Sequence, residues 1–226
     1  MKTLVIAPHP DDELLGCAGT LLKRKEEGSQ IFWLIVTCIS KNANWPDNIV
    51  TGRDNEINQV HENMGFDDVF RLNYPTASLD TVPLSELVGS FSEVFKKIGP
   101  DEVFLPHKSD IHSDHRIVFD IGASCTKWFR YPSVKKVFAY ETISETDFNL
   151  VSSANFAPNY FVDISDFIEK KIDLLKIYKS ELGEFPFPRS IEAIRSLASV
   201  RGASSGFKAA EAFELLRFRE TTENKK

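Results

Sequence analysis

The chain has 226 residues, 42% of them hydrophobic and 18 of them Phe, which is ample for one sizeable core and short for two domains. A formal net charge of −6 argues against a nucleic-acid binder, since neutralising phosphates requires a basic face. The first apolar run, after Lys2, is too short for a signal h-region, and no later run approaches the roughly 20 residues of a membrane span, so a soluble, cytoplasmic protein with no membrane span is expected.

Residues 3–7 are a short β-branched run closed by Pro8 and Pro10, which cannot continue a ladder, and they predict a buried strand. Further strands are expected at 30–38, 69–72, 102–105 and 134–140, with helices between them. Leu84, Leu87, Val88, Phe91, Val94, Phe95 and Ile98 recur at helical spacing until Gly99 and Pro100 stop the helix. Strand alternating with helix predicts an α/β fold, a three-layer αβα sandwich whose mostly parallel sheet is covered on both faces. Such sheets bind ligands outside the carboxyl ends of their strands. His9, Asp11 and Asp12 follow the first strand, Arg53 the second, Asn73 and Tyr74 the third, His112 and His115 the fourth, and Glu141 the fifth.

Beyond Glu141 the alternation weakens over the polar residues 144–159 and resumes with a strand at 160–162. A helix is expected over 165–182, with Asp163 or Ser165 as its N-cap and Ile164, Phe167, Ile168, Ile172, Leu175 and Tyr178 as its apolar stripe. A Pro-broken segment, a helix over 190–200, a flexible turn at 201–206 and a polar, frayed tail at 221–226 complete the reading. The whole chain is thus one domain, residues 1–141 forming the parallel core and 142–226 completing the fold and the substrate rim. Cys17, Cys38 and Cys125, odd in number and widely spaced, read as reduced core thiols. Arg189, Arg195, Arg201, Lys208, Arg217 and Arg219 face few acids in their own stretch. A solvated face is expected there, with contact to an anionic part of a substrate or to a neighbouring subunit of a homo-oligomer as the alternative.

The chemistry lies in two segments. His9, Asp11, Asp12 and Glu13 sit on a strand-to-helix turn and, taken alone, could be an acidic helix N-terminus. Three of the five histidines, His107, His112 and His115, crowd behind another strand, and the two segments together look like a divalent-metal site with its own general base. Two imidazoles and a carboxylate hold Zn²⁺ with a position left for water, and the spare carboxylate of an Asp pair can take that water's proton. That arrangement suits hydrolysis of an amide. Two rival readings share parts of this pattern. A non-haem Fe(II) oxygenase uses the same ligand types but typically on an all-β jelly roll. A non-catalytic, Rossmann-like nucleotide-sugar-binding protein is disfavoured because Gly16 and Gly19 do not make G-x-G-x-x-G and the first turn is acidic.

The segment from Pro8 to Glu13 and the pattern Asp110-x-His112-x-Asp114-His115 resemble the two signatures of the LmbE-like, or PIG-L, family of zinc-dependent N-acetylsugar deacetylases. Arg53 with Glu56 is similar to the family's Arg-x-x-Glu, and Ala210-Glu211-Ala212-Phe213 to its C-terminal Ala-Glu-Ala-Phe. The resemblance implies a Rossmann-like fold and removal of an acetyl group from an N-acetylated amino sugar, free, glycosidic or nucleotide-linked. It implies Zn²⁺, with Fe²⁺ or another divalent metal as alternatives, on His9, Asp12 and His115, and Asp11 as general base. His112 would be a protonated acid or oxyanion stabiliser, Asp114 would tune and orient it, and Asp110 would support a metal ligand. Arg53, Asn73, Tyr74 and Glu141 would contact substrate, with a surface ion pair to Glu56 as the alternative for Arg53. Glu211 reads as a buried anchor, and His61 and His107 as structural. The chain departs from the family where many members have Ser-Gln after a late Tyr, since Tyr178 is followed by Lys179, Ser180 and Glu181.

Overall fold

The computed structural model of the protein describes residues 1–39, 45–150 and 154–220. Its strands are β1 (Lys2–Ala7), β2 (Gln30–Cys38), β3 (Asp68–Pro75), β4 (Glu102–Pro106), β5 (Lys136–Tyr140), β6 (Tyr160–Asp163) and β7 (Ala210–Phe218). Its helices are α1 (Asp12–Glu26), α2 (Asp47–Met64), α3 (Leu84–Ile98), α4 (Ser113–Ser124), α5 (Ile168–Leu175) and α6 (Ile191–Ser205). The strands form one sheet in the order β3-β2-β1-β4-β5-β7-β6. β1 to β5 are mutually parallel, and β7 runs antiparallel to both of its neighbours. Among the described residues no helix is long and apolar enough to cross a membrane.

Side chains alternate across a strand, so each strand feeds two cores. Val5 and Ala7 join Trp33 and Ile35 beneath α1, α2, α5 and α6, whereas Leu4 and Ile6 join Leu34 and Val36 beneath α3 and α4. The expected stripe of α3 buries Leu87, Phe91, Val94, Phe95 and Ile98, and Gly99 at φ 60° ends that helix. α1 crosses the sheet closely enough that a Cβ on Gly16 would lie 2.3 Å from the Tyr140 ring, whose hydroxyl donates to the Ile6 carbonyl at 2.9 Å. Cys17 and Cys125 are buried, Cys38 is half-buried, and all three are free.

The C-terminal third differs from the sequence expectation in three places. The helix expected over 165–182 is only α5, followed by a 3-10 turn at Lys179–Glu181. Asp163 Oδ1 caps Ser165, as expected of the pair, but in a turn that precedes the helix. α6 runs past residue 200 to Ser205; Gly202 lies inside it, where the backbone of Phe207 and Ala209 passes too close for a side chain, and Gly206, at φ 84°, is where the chain turns. No strand was expected at β7, since Ala and Glu are weak strand formers, yet it pairs on both edges, and that pairing and burial override propensity. The expected frayed tail, 221–226, and part of the polar stretch, 151–153, lie outside the described residues.

β7 also carries the anchor expected at Glu211. Its buried carboxylate accepts from the backbone amides of Gly19 (2.9 Å) and Thr20 (2.7 Å) and pairs with buried Lys171 of α5 at 2.7 Å. Lys171 also donates to the Leu15 carbonyl at 2.8 Å, so one ion pair ties α5 and β7 to the middle of α1. Removing one member of such a pair strands a buried charge. Lys171→Met should therefore lower unfolding free energy by about 3–5 kcal/mol in urea titration, while Glu211→Gln, which keeps its acceptor, should cost less. Equal, near-zero losses would mean that the pair does not tie these elements together.

Candidate metal centre and active site

The strand order reverses between β1 and β4, and the chain ends leaving these two neighbours open a crevice at their carboxyl edge. After β1 the chain turns sharply. The Pro8 carbonyl accepts from the Thr37 amide (3.0 Å) and hydroxyl (2.9 Å), and Asp11 adopts φ 134°, a strained value for a residue with a side chain. The Asp11 amide donates to Glu13 Oε2 at 3.0 Å, which holds this turn. After β4, His112 caps α4, and its ring lies edge-on to His9 with centroids 4.5 Å apart.

Three side chains meet here. His115 Nε2 lies 3.3 Å from His9 Nδ1 and 3.3 Å from Asp12 Oδ2, and His9 Nδ1 lies 3.4 Å from the same oxygen. The opposite nitrogen of each ring is held by a carboxylate: His115 Nδ1 by Asp110 Oδ2 at 2.8 Å, and His9 Nε2 by Asp114 Oδ2 at 3.2 Å. Each imidazole is thereby oriented from behind, with its other nitrogen directed toward Asp12, the usual support of a metal-ligating histidine. Asp110 is itself fixed by the Thr146 hydroxyl at 2.7 Å, and Asp114 by the amides of Ala77 (2.7 Å) and Leu79 (3.3 Å). Asp12 Oδ1 is buried with no hydrogen-bond partner among the described residues, an acceptor left for a cation. The donor set fits a divalent ion: two imidazoles and one carboxylate with ligand atoms mutually within 4.8 Å.

The electrostatics agree. Burial opposes charge on His9, but the hydrogen bonds from Asp114 and Asp12 outweigh it and hold the ring up at about 9. For His115 burial likewise opposes charge, and Asp12 and Asp110 hold it up at about 10. The pocket demands positive charge between these groups. Burial, then the charge of Asp12, pushes Asp11 up to about 7 against the pull of Arg189, a range suited to a base at neutral pH. Burial, then His9 and His115, drives His112 down to about 4, so the protonated imidazole expected there is not favoured. The Asp114 carboxylate lies near His112 and favours charge on it, but it is hydrogen-bonded to His9 instead. It is the Asp114 amide that donates to His112 Nδ1, at 3.1 Å, which leaves the proton of a neutral ring on Nε2.

A cavity of about 610 Å³ opens from this cluster, with His9, Asp11, Arg53, His112, Glu181 and Arg189 among its lining. Arg53 is thus at the rim, though it also lies 3.4 Å from Glu56. The other expected substrate contacts are elsewhere. The Tyr74 hydroxyl meets Ser90 Oγ at 2.8 Å, and Asn73, at φ 59°, lines a separate cavity of about 380 Å³. Both lie on β3, two strands away from the crevice. Glu141 is drawn into a two-pronged pair with Arg201 (2.8 and 2.6 Å) beside another cavity of about 360 Å³. His107 accepts from the Ser109 amide at 3.3 Å and packs edge-on against Phe156, a structural role. Arg189, Glu145 and Glu181 are rim groups that the sequence pattern did not single out. Arg189, which reaches Asp11 Oδ2 at 2.7 Å, was grouped with a solvated basic face; Glu181, which pairs with Arg53 and Arg189, was visible only as a departure from a motif. Arg195 and Arg201, by contrast, pair with Glu169 and Glu141.

The PIG-L family profile, described as GlcNAc-PI de-N-acetylase, matches residues 4–126, the stretch holding both segments of the cluster. The chain belongs to the PIG-L family. Membership makes it an N-deacetylase, a hydrolase. It is 26% identical over 223 residues to a diacetylchitobiose deacetylase of Thermococcus kodakarensis, covering 93% of this chain and 81% of that one. Among solved structures it superposes on the conserved protein TT1542 of Thermus thermophilus with a TM-score of 0.77 and 25% identity, covering 99% of this chain and 98% of the other. The N,N'-diacetylchitobiose deacetylase of Pyrococcus horikoshii shares the fold with a TM-score of 0.76 at 22% identity, covering 96% and 84%. A mostly parallel sheet in a PIG-L protein leaves no room for the jelly-roll oxygenase.

If Asp110 supports His115 as a metal ligand, Asp110→Asn should weaken metal binding about 10- to 100-fold, as measured by chelator competition. Unchanged affinity in the folded variant would separate Asp110 from the metal.

Proposed function

We propose that this PIG-L protein uses one divalent metal ion, Zn²⁺ by preference for two imidazoles and a carboxylate, to remove acetyl groups from an N-acetylated amino sugar, free, glycosidic or nucleotide-linked. The carrying observation is the convergence of His9, Asp12 and His115 with Asp11 beside them and a roomy cavity in front. The named substrate of the Thermococcus relative, diacetylchitobiose, supports a sugar. Three free thiols suit a reducing compartment such as the cytoplasm.

Bound to His9, Asp12 and His115, the metal would supply Lewis-acid polarisation of the acetyl carbonyl and of an attacking water. Asp11 removes that water's proton through Oδ1, while Arg189 steadies Oδ2. As the water oxygen bonds to the carbonyl carbon, charge grows on the carbonyl oxygen, and His112 donates its Nε2–H to it. Neutral His112 has one proton to share, so the acid role falls to Asp11. The carboxyl group returns its proton to the sugar nitrogen as the C–N bond breaks, releasing acetate and the amine.

Asp11→Asn should retain metal yet lose about a hundredfold to ten-thousandfold in kcat, since an amide cannot accept the proton. The check is acetate release with metal content measured on the same sample. Near-normal turnover would remove Asp11 from the base role. Chelation should abolish acetate release from the unmutated protein, and added Zn²⁺ should restore it.

A further inference from the structure

The deacetylase reading leaves open what is attached to the sugar, and the charged rim of the pocket bears on this. Arg53 and Arg189 are the arginines that line the cavity, and both forks are engaged. Arg53 Nη2 is bonded to Glu181 Oε1 and to Ser180 Oγ at 3.2 Å, and Nη1 to the Pro10 carbonyl at 3.3 Å. Arg189 Nη1 meets Asp11 Oδ2 at 2.7 Å and Glu181 Oε2 at 3.3 Å, Nε meets Ser144 Oγ at 2.8 Å, and Nη2 meets Glu145 Oε1 at 3.4 Å. Glu181 therefore bridges the two guanidinium groups with its two oxygens.

Bidentate capture of a phosphate or carboxylate needs two free, parallel N–H groups on one guanidinium. Here an incoming anion would have to displace Glu181 and would then meet its charge. Asp11, Glu145 and Glu181 line the cavity against Arg53 and Arg189, so the rim outside the metal cluster carries no surplus of positive charge. Ile39, Trp45, Pro46 and Ile49 add an apolar wall that suits the face of an uncharged ring.

Resting on the deacetylase reading, we propose that Glu181 is a specificity-determining residue that makes the pocket select an N-acetylated sugar with an uncharged substituent, a neutral glycoside or oligosaccharide, over phosphorylated or nucleotide-linked sugars. It does so by occupying both arginine forks and by repelling the anion that would replace it.

The test compares acetate release from methyl α-N-acetylglucosaminide with that from N-acetylglucosamine α-1-phosphate, a pair differing in charge at one position, and adds UDP-N-acetylglucosamine. The zinc-loaded protein should favour the methyl glycoside in kcat/KM by about tenfold or more. Glu181→Gln, with metal content and Tm verified, should shrink that preference about tenfold, chiefly through a lower KM for the phosphate. Should the variant fail to fold, the unmutated protein still decides the matter. Raising NaCl from roughly 20 to 200 mM should speed turnover of the phosphate, by screening a repulsion, and leave the methyl glycoside unaffected. Equal or better turnover of the phosphate, a preference unchanged in folded Glu181→Gln, or a rate with phosphate that falls with salt would each overturn the assignment. Absence of acetate from every probe is a different result and would overturn the deacetylase reading on which it stands.

Discussion

Five carboxylates, those of Asp11, Asp12, Glu13, Asp110 and Asp114, are each no more than 3% exposed, and all lie where the turns after β1 and β4 converge. Burying so much negative charge is prohibitive unless it is met by protons, cations or hydrogen-bond donors. The structure meets it with all three. Burial pushes the Glu13 pKa well above the usual carboxylate range, which favours the neutral form, and Oε2 accepts from the Asp11 amide. Asp110 and Asp114 are each shared between a histidine and further donors. Two helices, α1 and α4, begin at the cluster, and their N-terminal dipoles favour negative charge. What remains is a demand for positive charge between His9, Asp12 and His115, which is the physical basis of a metal site.

That demand orders the neighbours. Because one nitrogen of each histidine is committed to a carboxylate, the ring presents only the other toward Asp12, where the proposed ion would be held. Asp114 is hydrogen-bonded to His9, and its pull on His112 is outweighed by burial and by His9 and His115. The helix N-terminus adds the Asp114 amide at His112 Nδ1, and a neutral ring with its proton on Nε2 follows. The strained backbone of Asp11 answers the same demand: it aims the first Asp of the pair at Arg189 and the cavity, while Asp12 faces the two histidines.

The rear of the site depends on the last third of the chain. Lys171 and Glu211 tie α5 and β7 to α1, and the turn that follows α5 brings Ser180 and Glu181 to Arg53, while the start of α6 brings Arg189 to Asp11. The parallel part of the sheet carries the cluster and the apolar side of the cavity, and Glu145, Ser180, Glu181 and Arg189 of the C-terminal segments add the polar side.

Local patterns were enough for much of this. Apolar runs ended by proline, the helical stripe of α3 and the alternation of strand and helix give the layers and the parallel sheet, because period and chain breaking are properties of a few adjacent residues. The His-Asp cluster was legible for the same reason: each half is compact in sequence, and the rule that sites lie at strand carboxyl ends brings the halves together. Tertiary structure decided what depends on residues far apart. Strand order put Asn73 and Tyr74 two strands from the crevice, although they end a strand on the same rim as His9. Pairing on both edges made a strand of β7, and the close passage of Phe207 and Ala209 is what requires glycine at 202. Arg189 lies 178 positions from Asp11 and Glu181 lies 128 from Arg53, so no local spacing could join them, and only the folded chain turns a basic stretch and an unexpected glutamate into the rim of the pocket.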